Sequence, residues 1–381
     1  MAQAERLETD VAVIGGGAVG LAIAHQLAQD GAEVVLAEAN AHFGDETSGR
    51  NNQVIHAGFL YPPGSLKAAL CKPGRDALFA WCADHGVPHR LAPKLIPATG
   101  AGVAALSTLK AQGAAAGVTD LDLLDRAALT RLEPAMQADA ALLSPSTGIV
   151  DAAALVASLR DAAEAAGAML VPAASALGGE VGGARHRVRI RSADGSLADL
   201  CCRWLINAAG LGAAPLARAL RGFPAAHVPT IHFARGQFAA HRGQVPFRHL
   251  VVPLGAVLEA GGALSFDPSG QVRFGPDTSF VADRDYRLTD DVPAPQIDAI
   301  RQWWPGLDAS RLAPEFAGIR PRVTGPGQPP GDWRIDGPEA HGVPGLIHLF
   351  GIDTPGLTAC LTLARHVAAC VLAPQPNGVP A

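Results

Sequence analysis

The stretch Asp10-Val-Ala-Val-Ile-Gly-Gly-Gly-Ala-Val-Gly20 decides the fold of this chain. Its apolar start is typical of a β-strand, and Gly15, Gly17 and Gly20 follow with the spacing G-x-G-x-x-G. Apolar residues at helical spacing come next, and residues 34–37 are predicted to form a second strand. The order of strand, glycine turn, helix and strand is the dinucleotide-binding fingerprint in its proper context.

Each part of this fingerprint has a physical role in binding a pyrophosphate. Gly15 allows a tight turn, Gly17 lets the backbone approach the phosphates, and Gly20 lets the helix pack on the strand. The helix N-terminus offers free N–H groups and partial positive charge to an anion. Glu38 ends the second strand, near the position about 20 residues beyond the glycines where a carboxylate binds ribose hydroxyls. The stretch predicts a dinucleotide site; a doubly wound domain without cofactor is the alternative.

The composition argues against several classes of function. The chain has 381 residues, enough for two or three domains, and 49% of them are hydrophobic. A formal net charge of −5 provides no basic surface for nucleic acid. The six cysteines are scattered, and no C-x-x-C pair occurs. We therefore expect no metal site, no disulfides and no nucleic-acid partner, and reduced thiols in a cytosol.

The apolar run near the N-terminus is predicted to belong to the fold rather than to a signal peptide. Glu5, Glu8 and Asp10 precede it, where a signal peptide carries positive charge. No stretch reaches the roughly 18 uninterrupted apolar residues that suggest a transmembrane helix. We expect a cytoplasmic protein without a transmembrane segment, or one bound peripherally at the inner membrane.

A second motif lies near the C-terminus, in Phe350-Gly-Ile-Asp-Thr-Pro-Gly-Leu-Thr358. It places Gly351, Gly356 and Thr358 at the start of a strongly apolar helix predicted over residues 357–372. The N-terminus of a helix stabilises negative charge, and a reduced flavin carries such charge at one edge of its ring. The alternative is a core helix that only completes the fold.

Six stretches together resemble the L-2-hydroxyglutarate dehydrogenase/oxidase family of D-amino-acid-oxidase-like flavoproteins, over nearly the whole chain. They are the fingerprint at 10–38, Asn51-Asn-Gln-Val-Ile-His-Ala-Gly58, Lys94-Leu-Ile96, Asn207-Ala-Ala-Gly-Leu211, Ala317-Gly-Ile-Arg-Pro321 and Leu349-Phe-Gly-Ile-Asp-Thr-Pro-Gly-Leu-Thr358. The fingerprint is generic among FAD enzymes, whereas the Val-Ile-His and Phe-Gly-Ile-Asp-Thr-Pro-Gly-Leu-Thr segments are more specific. The resemblance implies non-covalent FAD and oxidation of a small 2-hydroxy acid, with L-2-hydroxyglutarate as the leading candidate.

This resemblance also implies the domain organisation. The fold class is α/β, with a discontinuous Rossmann-type FAD-binding domain and an interleaved substrate domain of mixed or antiparallel strands. The FAD-binding domain is predicted at 1–85, 146–216 and 331–375, and the substrate domain at 86–145 and 217–330. The predicted cofactor contacts are Gly15, Gly17, Gly20, Glu38, Ala39, Ser48, Arg50, Asn51, Asn52, Gln53, Ala209, Gly210, Gly351, Gly356, Leu357 and Thr358.

His56 is the candidate general base. Oxidising an alcohol requires loss of a hydride from carbon and of a proton from oxygen. A flavin accepts the hydride, and a neutral imidazole with a pKa near ~6.5 suits the proton. The matching histidine serves as base in related glycerol-phosphate oxidases, so the resemblance implies that role here. The alternative is a turn histidine bonded to the backbone.

Arg320 is the candidate for holding the substrate carboxylate, because a guanidinium binds a carboxylate through two parallel hydrogen bonds. The alternative is an arginine at the surface or at a sheet edge. Lys94 and Arg235 are weaker candidates for a second carboxylate. Two positions depart from the family: Asn51-Asn-Gln53 replaces Asn-Ser-Gly, and Ala263 stands where many members have a histidine. The exact substrate and its stereochemistry therefore stay open.

Two other functions are compatible with the sequence. An amino-acid or amine oxidase on the same fold would not need His56, because a neutral amine loses only a hydride. A non-catalytic flavin-binding scaffold would hold FAD that no small acid reduces. The sequence also leaves open the oligomeric state and the electron acceptor, which is oxygen, a quinone or an electron-transfer flavoprotein.

Overall fold

The computed structural model describes residues 5–372. In this part of the chain the strands are β1 (Glu5–Ile14), β2 (Val34–Ala37), β3 (Val54–Ile55), β4 (His89–Leu91), β5 (Lys94–Ala98), β6 (Asp122–Asp125), β7 (Ala140–Ser144), β8 (Gly148–Val150), β9 (Met169–Val171), β10 (Ser175–Glu180), β11 (His186–Arg191), β12 (Leu197–Asn207), β13 (Leu220–Arg221), β14 (His232–His241), β15 (Leu250–Val251), β16 (Leu264–Phe266), β17 (Val272–Phe274), β18 (Ser279–Val281), β19 (Leu312–Arg322), β20 (Arg334–Asp336) and β21 (Leu346–Phe350). The α-helices are α1 (Ala18–Gln29), α2 (Leu66–Asp84), α3 (Val103–Ala115), α4 (Arg126–Leu132), α5 (Ala152–Ala165), α6 (Ala213–Ala219), α7 (Ala256–Glu259), α8 (Ala294–Arg301), α9 (Pro338–His341) and α10 (Cys360–Leu372).

The chain divides into two compact units. Unit 1 contains the chain up to Gly49, Ala153–His232 and the chain from Pro321 onward, and unit 2 contains Arg50–Ala152 and Phe233–Arg320. Residues 50–85 and 146–152, predicted for the FAD-binding domain, lie in unit 2, because β3 and β8 pair with each other. Residues 217–232 and 321–330, predicted for the substrate domain, lie in unit 1. Residues 373–375 of the predicted FAD-binding domain lie outside the described part.

Unit 1 is built on a sheet with the strand order β13-β10-β11-β12-β1-β2-β9, and β21 pairs with both β12 and β20. The pairs β1–β2, β1–β12, β2–β9 and β12–β21 are parallel. Strand β12 pairs with both β11 and β21 along one of its edges. Its residues 197–202 pair antiparallel with β11, and residues 205–207 pair with β21. The sheet therefore has an antiparallel branch and a parallel branch that share β12.

The parallel branch decides where a ligand can bind in unit 1. Helix α1 packs with Leu21, Ala24 and Leu27 fully buried, and it connects the neighbouring parallel strands β1 and β2 as a crossover. In a parallel sheet the carboxyl ends of the strands share one edge. The loops after β1, β2, β12 and β21 therefore meet at that edge, which is where open α/β sheets bind ligands.

Unit 2 contains two sheets. The main sheet has the order β18-β14-β17-β16-β15-β5-β7-β6, and β19 also pairs with β14; the small sheet has the order β3-β8-β4. Most neighbouring strands run antiparallel, whereas β15 and β5 are parallel. This is the mixed sheet predicted for the substrate domain. Within residues 5–372, every helix is too short or too polar to traverse a lipid bilayer.

Helix α2 covers part of unit 2 and follows its sequence signals closely. The hydroxyl of Ser65 accepts a hydrogen bond of 3.1 Å from the N–H of Ala68, as expected for an N-cap. One face of the helix is buried and carries Cys71 and Leu78. Lys67, one turn before Cys71 on that face, is also buried, although no feature of the sequence marks it as interior.

Candidate active site

The glycines of the N-terminal fingerprint have the geometry that a dinucleotide site requires. Gly15 has a φ of +112°, and a Cβ there would lie 2.5 Å from the carbonyl oxygen of Ala208. A Cβ at Gly20 would lie 1.9 Å from the carbonyl oxygen of Gly15. Neither position accepts a side chain, because the turn and the start of α1 approach each other only without one. The residues present therefore fit a pyrophosphate at the N-terminus of α1.

Glu38 and Ser48 hold the loops at this edge of the sheet. The two carboxylate oxygens of Glu38 accept hydrogen bonds from the N–H groups of Gly16 (2.6 Å) and Asn40 (2.7 Å). The hydroxyl of Ser48 accepts from the N–H of Ala18 (3.0 Å), in the first turn of α1. A carboxylate has about four acceptor positions, so Glu38 retains capacity for ribose hydroxyls. These donor and acceptor groups match the ribose and pyrophosphate of FAD.

The loop after β21 reaches the same edge, and its Asp353 forms an ion pair with Arg322 at the end of β19. Gly351 has a φ of +72°, and a Cβ there would lie 2.6 Å from Cγ1 of Val323. The Nε atom of Arg322 lies 3.8 Å from a carboxylate oxygen of Asp353, and both side chains are largely buried. No sequence motif marked Arg322. Helix α10 begins at Cys360 rather than at residue 357, because residues 354–359 form turns.

The other predicted cofactor contacts divide between the two units. Ala39, Ala209, Gly210, Gly356, Leu357 and Thr358 lie in unit 1, whereas Arg50, Asn51, Asn52 and Gln53 lie in unit 2. Thr358 is fully buried. Within residues 5–372, no group of three or more His, Cys, Asp or Glu side chains is arranged to hold a metal ion.

The segment before β3 is held in a strained conformation. Gln53 has a φ of +59°, in the left-handed region that side chains other than glycine rarely adopt. Its N–H donates to Oδ1 of Asn51 (2.8 Å), and its Oε1 accepts from the N–H of Ala152 (3.2 Å). These bonds stabilise the turn that leads to His56. The left-handed backbone also gives a physical reason why a glycine is common here in the family that this sequence resembles.

His56 and Lys94 form an electrostatically coupled pair in unit 2. Burial, and then the positive charge of Lys94, lower the pKa of His56 to about 3. Burial also lowers the pKa of Lys94 to about 8. The Sγ atom of Cys71 donates to the carbonyl oxygen of His56 at 3.5 Å and fixes the backbone there. At neutral pH the imidazole is therefore neutral, which is the state that can accept a proton.

Arg320 is anchored by its own unit. Its Nε donates to the carbonyl oxygen of Ala234 (3.3 Å), and its Nη2 donates to the carbonyl oxygen of Asp277 (3.2 Å) and to Oγ1 of Thr278 (3.1 Å). Gly318 lies two residues earlier on β19, where the backbone of Arg50 approaches closely. A Cβ at Gly318 would lie 2.1 Å from the carbonyl oxygen of Arg50. Arg320 is thus half-buried, and three hydrogen bonds hold its guanidinium in place.

Arg235 contacts a different part of unit 2. Its Nε donates to the carbonyl oxygen of Asp285 (3.2 Å), and its Nη2 donates to the carbonyl oxygen of Arg287 and to Oε1 of Gln237 (3.3 Å). These bonds hold the irregular segment at residues 285–289. In that segment the ring of Tyr286 lies 4.5 Å from the guanidinium carbon of Arg50. Arg235 therefore positions this segment, whatever else it contacts.

The chain is similar to one enzyme family along nearly its whole length. The family of FAD-dependent oxidoreductases matches residues 10–370. The mitochondrial L-2-hydroxyglutarate dehydrogenase of Arabidopsis thaliana is 36% identical over 400 residues, which cover 94% of this chain and 82% of that protein. The enzyme of the same name from Homo sapiens is 29% identical over 214 residues, which cover 53% of this chain and 46% of that protein. The expectation of a cytoplasmic location is contradicted, because both relatives are named as mitochondrial.

Two solved structures show the same fold. The L-α-glycerophosphate oxidase of Mycoplasma pneumoniae with FAD bound has a TM-score of 0.85 and 23% identity, and the match covers 97% of each chain. The glycine oxidase of Geobacillus kaustophilus has a TM-score of 0.79 and 20% identity, covering 97% of this chain and 96% of that one. At these identities the likeness establishes the architecture, and the reaction has to be argued from the site.

Proposed function

The chain belongs to the family of FAD-dependent oxidoreductases, and we propose that it oxidises L-2-hydroxyglutarate to the 2-oxo acid. The observation that carries the proposal is the neutral, half-buried imidazole of His56 in the unit that also holds Lys94 and Arg320. A proton acceptor and cationic groups for carboxylates are what a 2-hydroxy acid needs from a protein. The relative from Arabidopsis thaliana, which bears this activity in its name, matches over 94% of the chain and so supports the choice of substrate.

FAD, bound without a covalent link, supplies the hydride acceptor. In unit 1 the first turn of α1 and the hydroxyl of Ser48 would bind its pyrophosphate, and Glu38 would bind its ribose. The N-terminal end of α10, with Gly356 and Thr358 just before it, would stabilise negative charge. These groups would position the cofactor. The hydroxyl proton of the substrate needs a separate acceptor.

His56 accepts the hydroxyl proton of the substrate in this proposal. Its low pKa keeps the imidazole unprotonated at neutral pH, and it also makes His56 a weaker base than an imidazole with a pKa near the pH of the reaction. Arg320 binds the carboxylate beside the carbinol carbon and orients the C–H bond. Its existing bonds to Ala234, Asp277 and Thr278 hold the guanidinium in place before substrate arrives.

Anaerobic bleaching of the flavin band by a panel of hydroxy and amino acids tests this function. We expect L-2-hydroxyglutarate to bleach the band and amino acids to leave it unchanged. Bleaching by amino acids alone would make the protein an amine oxidase, and no bleaching by any small acid would leave only a flavin-binding scaffold. Adding oxygen, a quinone or an electron-transfer flavoprotein to the reduced protein then identifies the electron acceptor.

A further inference from the structure

The side chain of Lys94 is a buried cation at the base of strand β5, with 1% of the residue exposed. Its pKa of about 8 leaves it mostly protonated at neutral pH. Removing a charge from water is expensive unless a partner of opposite charge compensates. A buried ammonium that stays charged is stabilised when an anion binds beside it.

The groups that face this ammonium from the covering segments supply no such anion. The centre of the Phe59 ring lies 5.1 Å from Nζ, and a cation–π contact of this kind brings no net charge. On α2, burial raises the pKa of the Cys71 thiol to about 12, so it is neutral despite the nearby Lys94 and Arg75. The covering segments thus contribute an aromatic face and an uncharged sulfur.

The neighbouring strands and the candidate base supply none either. Lys94 pairs with Ser144 on β7 and with Leu250 on β15, and neither side chain is ionisable. His56 is neutral at neutral pH. Among residues 5–372, no carboxylate oxygen lies within 4.0 Å of Nζ, the distance that defines an ion pair.

We propose that Lys94 is the subsite for a second carboxylate of the substrate, so that the enzyme selects 2-hydroxy dicarboxylic acids. The inference rests on the proposed function for the identity of the reacting group. Arg320 holds the carboxylate next to the hydroxyl-bearing carbon, and Lys94 holds the distal one. Arg235 is the weaker candidate for the distal carboxylate, because its Nε and Nη2 atoms hold the segment of Asp285 and Arg287 and, unlike Nζ of Lys94, already donate to three acceptors.

The subsite also links substrate choice to proton transfer. The charge of Lys94 is one of the two causes that keep the pKa of His56 low. A carboxylate bound to Lys94 compensates that charge, so the imidazole becomes more basic when a dicarboxylate is bound. A monocarboxylate leaves the charge uncompensated. The charge of Lys94 thus connects the number of carboxylates on the substrate to the basicity of His56.

Steady-state kinetics of the FAD-loaded Lys94→Met variant test the proposal. Methionine preserves the length of the side chain and removes the charge. We expect KM for L-2-hydroxyglutarate to rise about 10- to 150-fold, the range for loss of a charge-assisted hydrogen bond, while KM for L-lactate stays the same. Lys94→Arg should retain part of the affinity. The matched control is Lys110→Met, a half-buried lysine on α3 that should leave both substrates unaffected.

A binding experiment separates this inference from the proposed reaction. Glutarate has two carboxylates and no hydroxyl, so it binds without being oxidised, and butyrate has one carboxylate. Calorimetry should show that the FAD-loaded parent prefers glutarate and that Lys94→Met loses this preference. Equal losses for glutarate and butyrate, or an unchanged KM for L-2-hydroxyglutarate, would overturn the subsite. If no hydroxy acid is oxidised but glutarate binding still depends on Lys94, the reaction is wrong and the anion subsite stands.

Discussion

The Nη2 atom of Arg320 donates a hydrogen bond of 3.1 Å to Oγ1 of Thr278, and its Nε donates to the carbonyl oxygen of Ala234. The two bonds fix the plane of the guanidinium from two directions. A carboxylate then meets a fork that is already oriented and loses less conformational entropy on binding. In the proposed site, the orientation of Arg320 would therefore contribute to substrate binding together with its charge.

Replacing Arg320 should weaken substrate binding and leave the flavin spectrum intact. Arg320→Ala removes a charge-assisted contact of about 1.5–3 kcal/mol, which corresponds to roughly 10- to 150-fold in KM. Arg320→Lys should restore only part of the loss, because an ammonium lacks the planar fork. Thr278→Val loses one anchoring bond and should have a smaller effect. An unchanged KM in both Arg320 variants would place this residue outside the site.

Gly17→Asp should abolish FAD binding. A Cβ at Gly17 would lie 2.9 Å from the hydroxyl of Ser48, and the added carboxylate would face the pyrophosphate at the start of α1. The parent should purify as a yellow protein, and the variant should be colourless. Gly337→Asp is the control, because a Cβ there meets no atom within 4 Å. Full FAD occupancy in the Gly17 variant would contradict the assignment of this loop.

His56→Ala should retain FAD and slow its reduction by substrate. Loss of a general base typically lowers the rate by about 10²- to 10⁴-fold. Anaerobic stopped-flow spectroscopy measures the flavin reduction step directly, and the absorbance of the resting enzyme confirms that the cofactor is still bound. A rate within a few-fold of the parent would show that His56 is structural or that the substrate is an amine.

Ala263→His should shift preference toward dicarboxylates. Val251 pairs with Leu95 on one side and with Leu264 on the other, so Lys94 and Ala263, each one residue earlier, share a face of the sheet. An imidazole at 263 therefore extends from the face that carries Lys94. We expect kcat/KM for 2-hydroxyglutarate relative to lactate to rise by about 10-fold, measured with both enantiomers. An unchanged ratio would mean that the substrate does not reach position 263.

Acid should destabilise the protein through His56 and His348. Burial, and then the charge of a neighbour, lower the pKa values of His56 and His348 to about 3. An unfolded chain binds these protons near pH 6.5, so stability falls as pH drops from about 6.5 toward 3, by at most about 1.4 kcal/mol per pH unit for each imidazole. His348→Leu should reduce the change in the free energy of unfolding with pH. Urea unfolding at several pH values measures this change. The same slope in parent and variant would contradict the prediction.

The sequence predicts the elements whose signals are local. Strand β2 occupies the predicted residues 34–37, because an apolar run defines it within a few residues. Helix α10 begins later than predicted. Pro355 and Gly356 favour the turns at 354–359 over an early helix start.

Contacts between residues far apart in the sequence have no local sequence signal that predicts them. The bond of Gln53 to Ala152 and the pair of Arg322 with Asp353 join residues that no motif connects. The same holds for Lys94, whose burial beside Phe59 depends on how β5 is covered. Composition and spacing suggest which residues carry chemistry, whereas the folded chain decides which of them meet.

The order of the strands in unit 1 also has a consequence for biosynthesis. Strand β1 begins at Glu5, yet β12, its partner, must itself pair with β21 at Leu346–Phe350. At about 5–20 residues per second, a ribosome needs roughly 20–70 seconds between making β1 and making β21. During that interval residues 205–207 of β12 lack the neighbouring strand with which they pair in the folded sheet. A ribosome that stalls before β21 releases a chain that cannot complete its sheet, so such products are expected to be degraded.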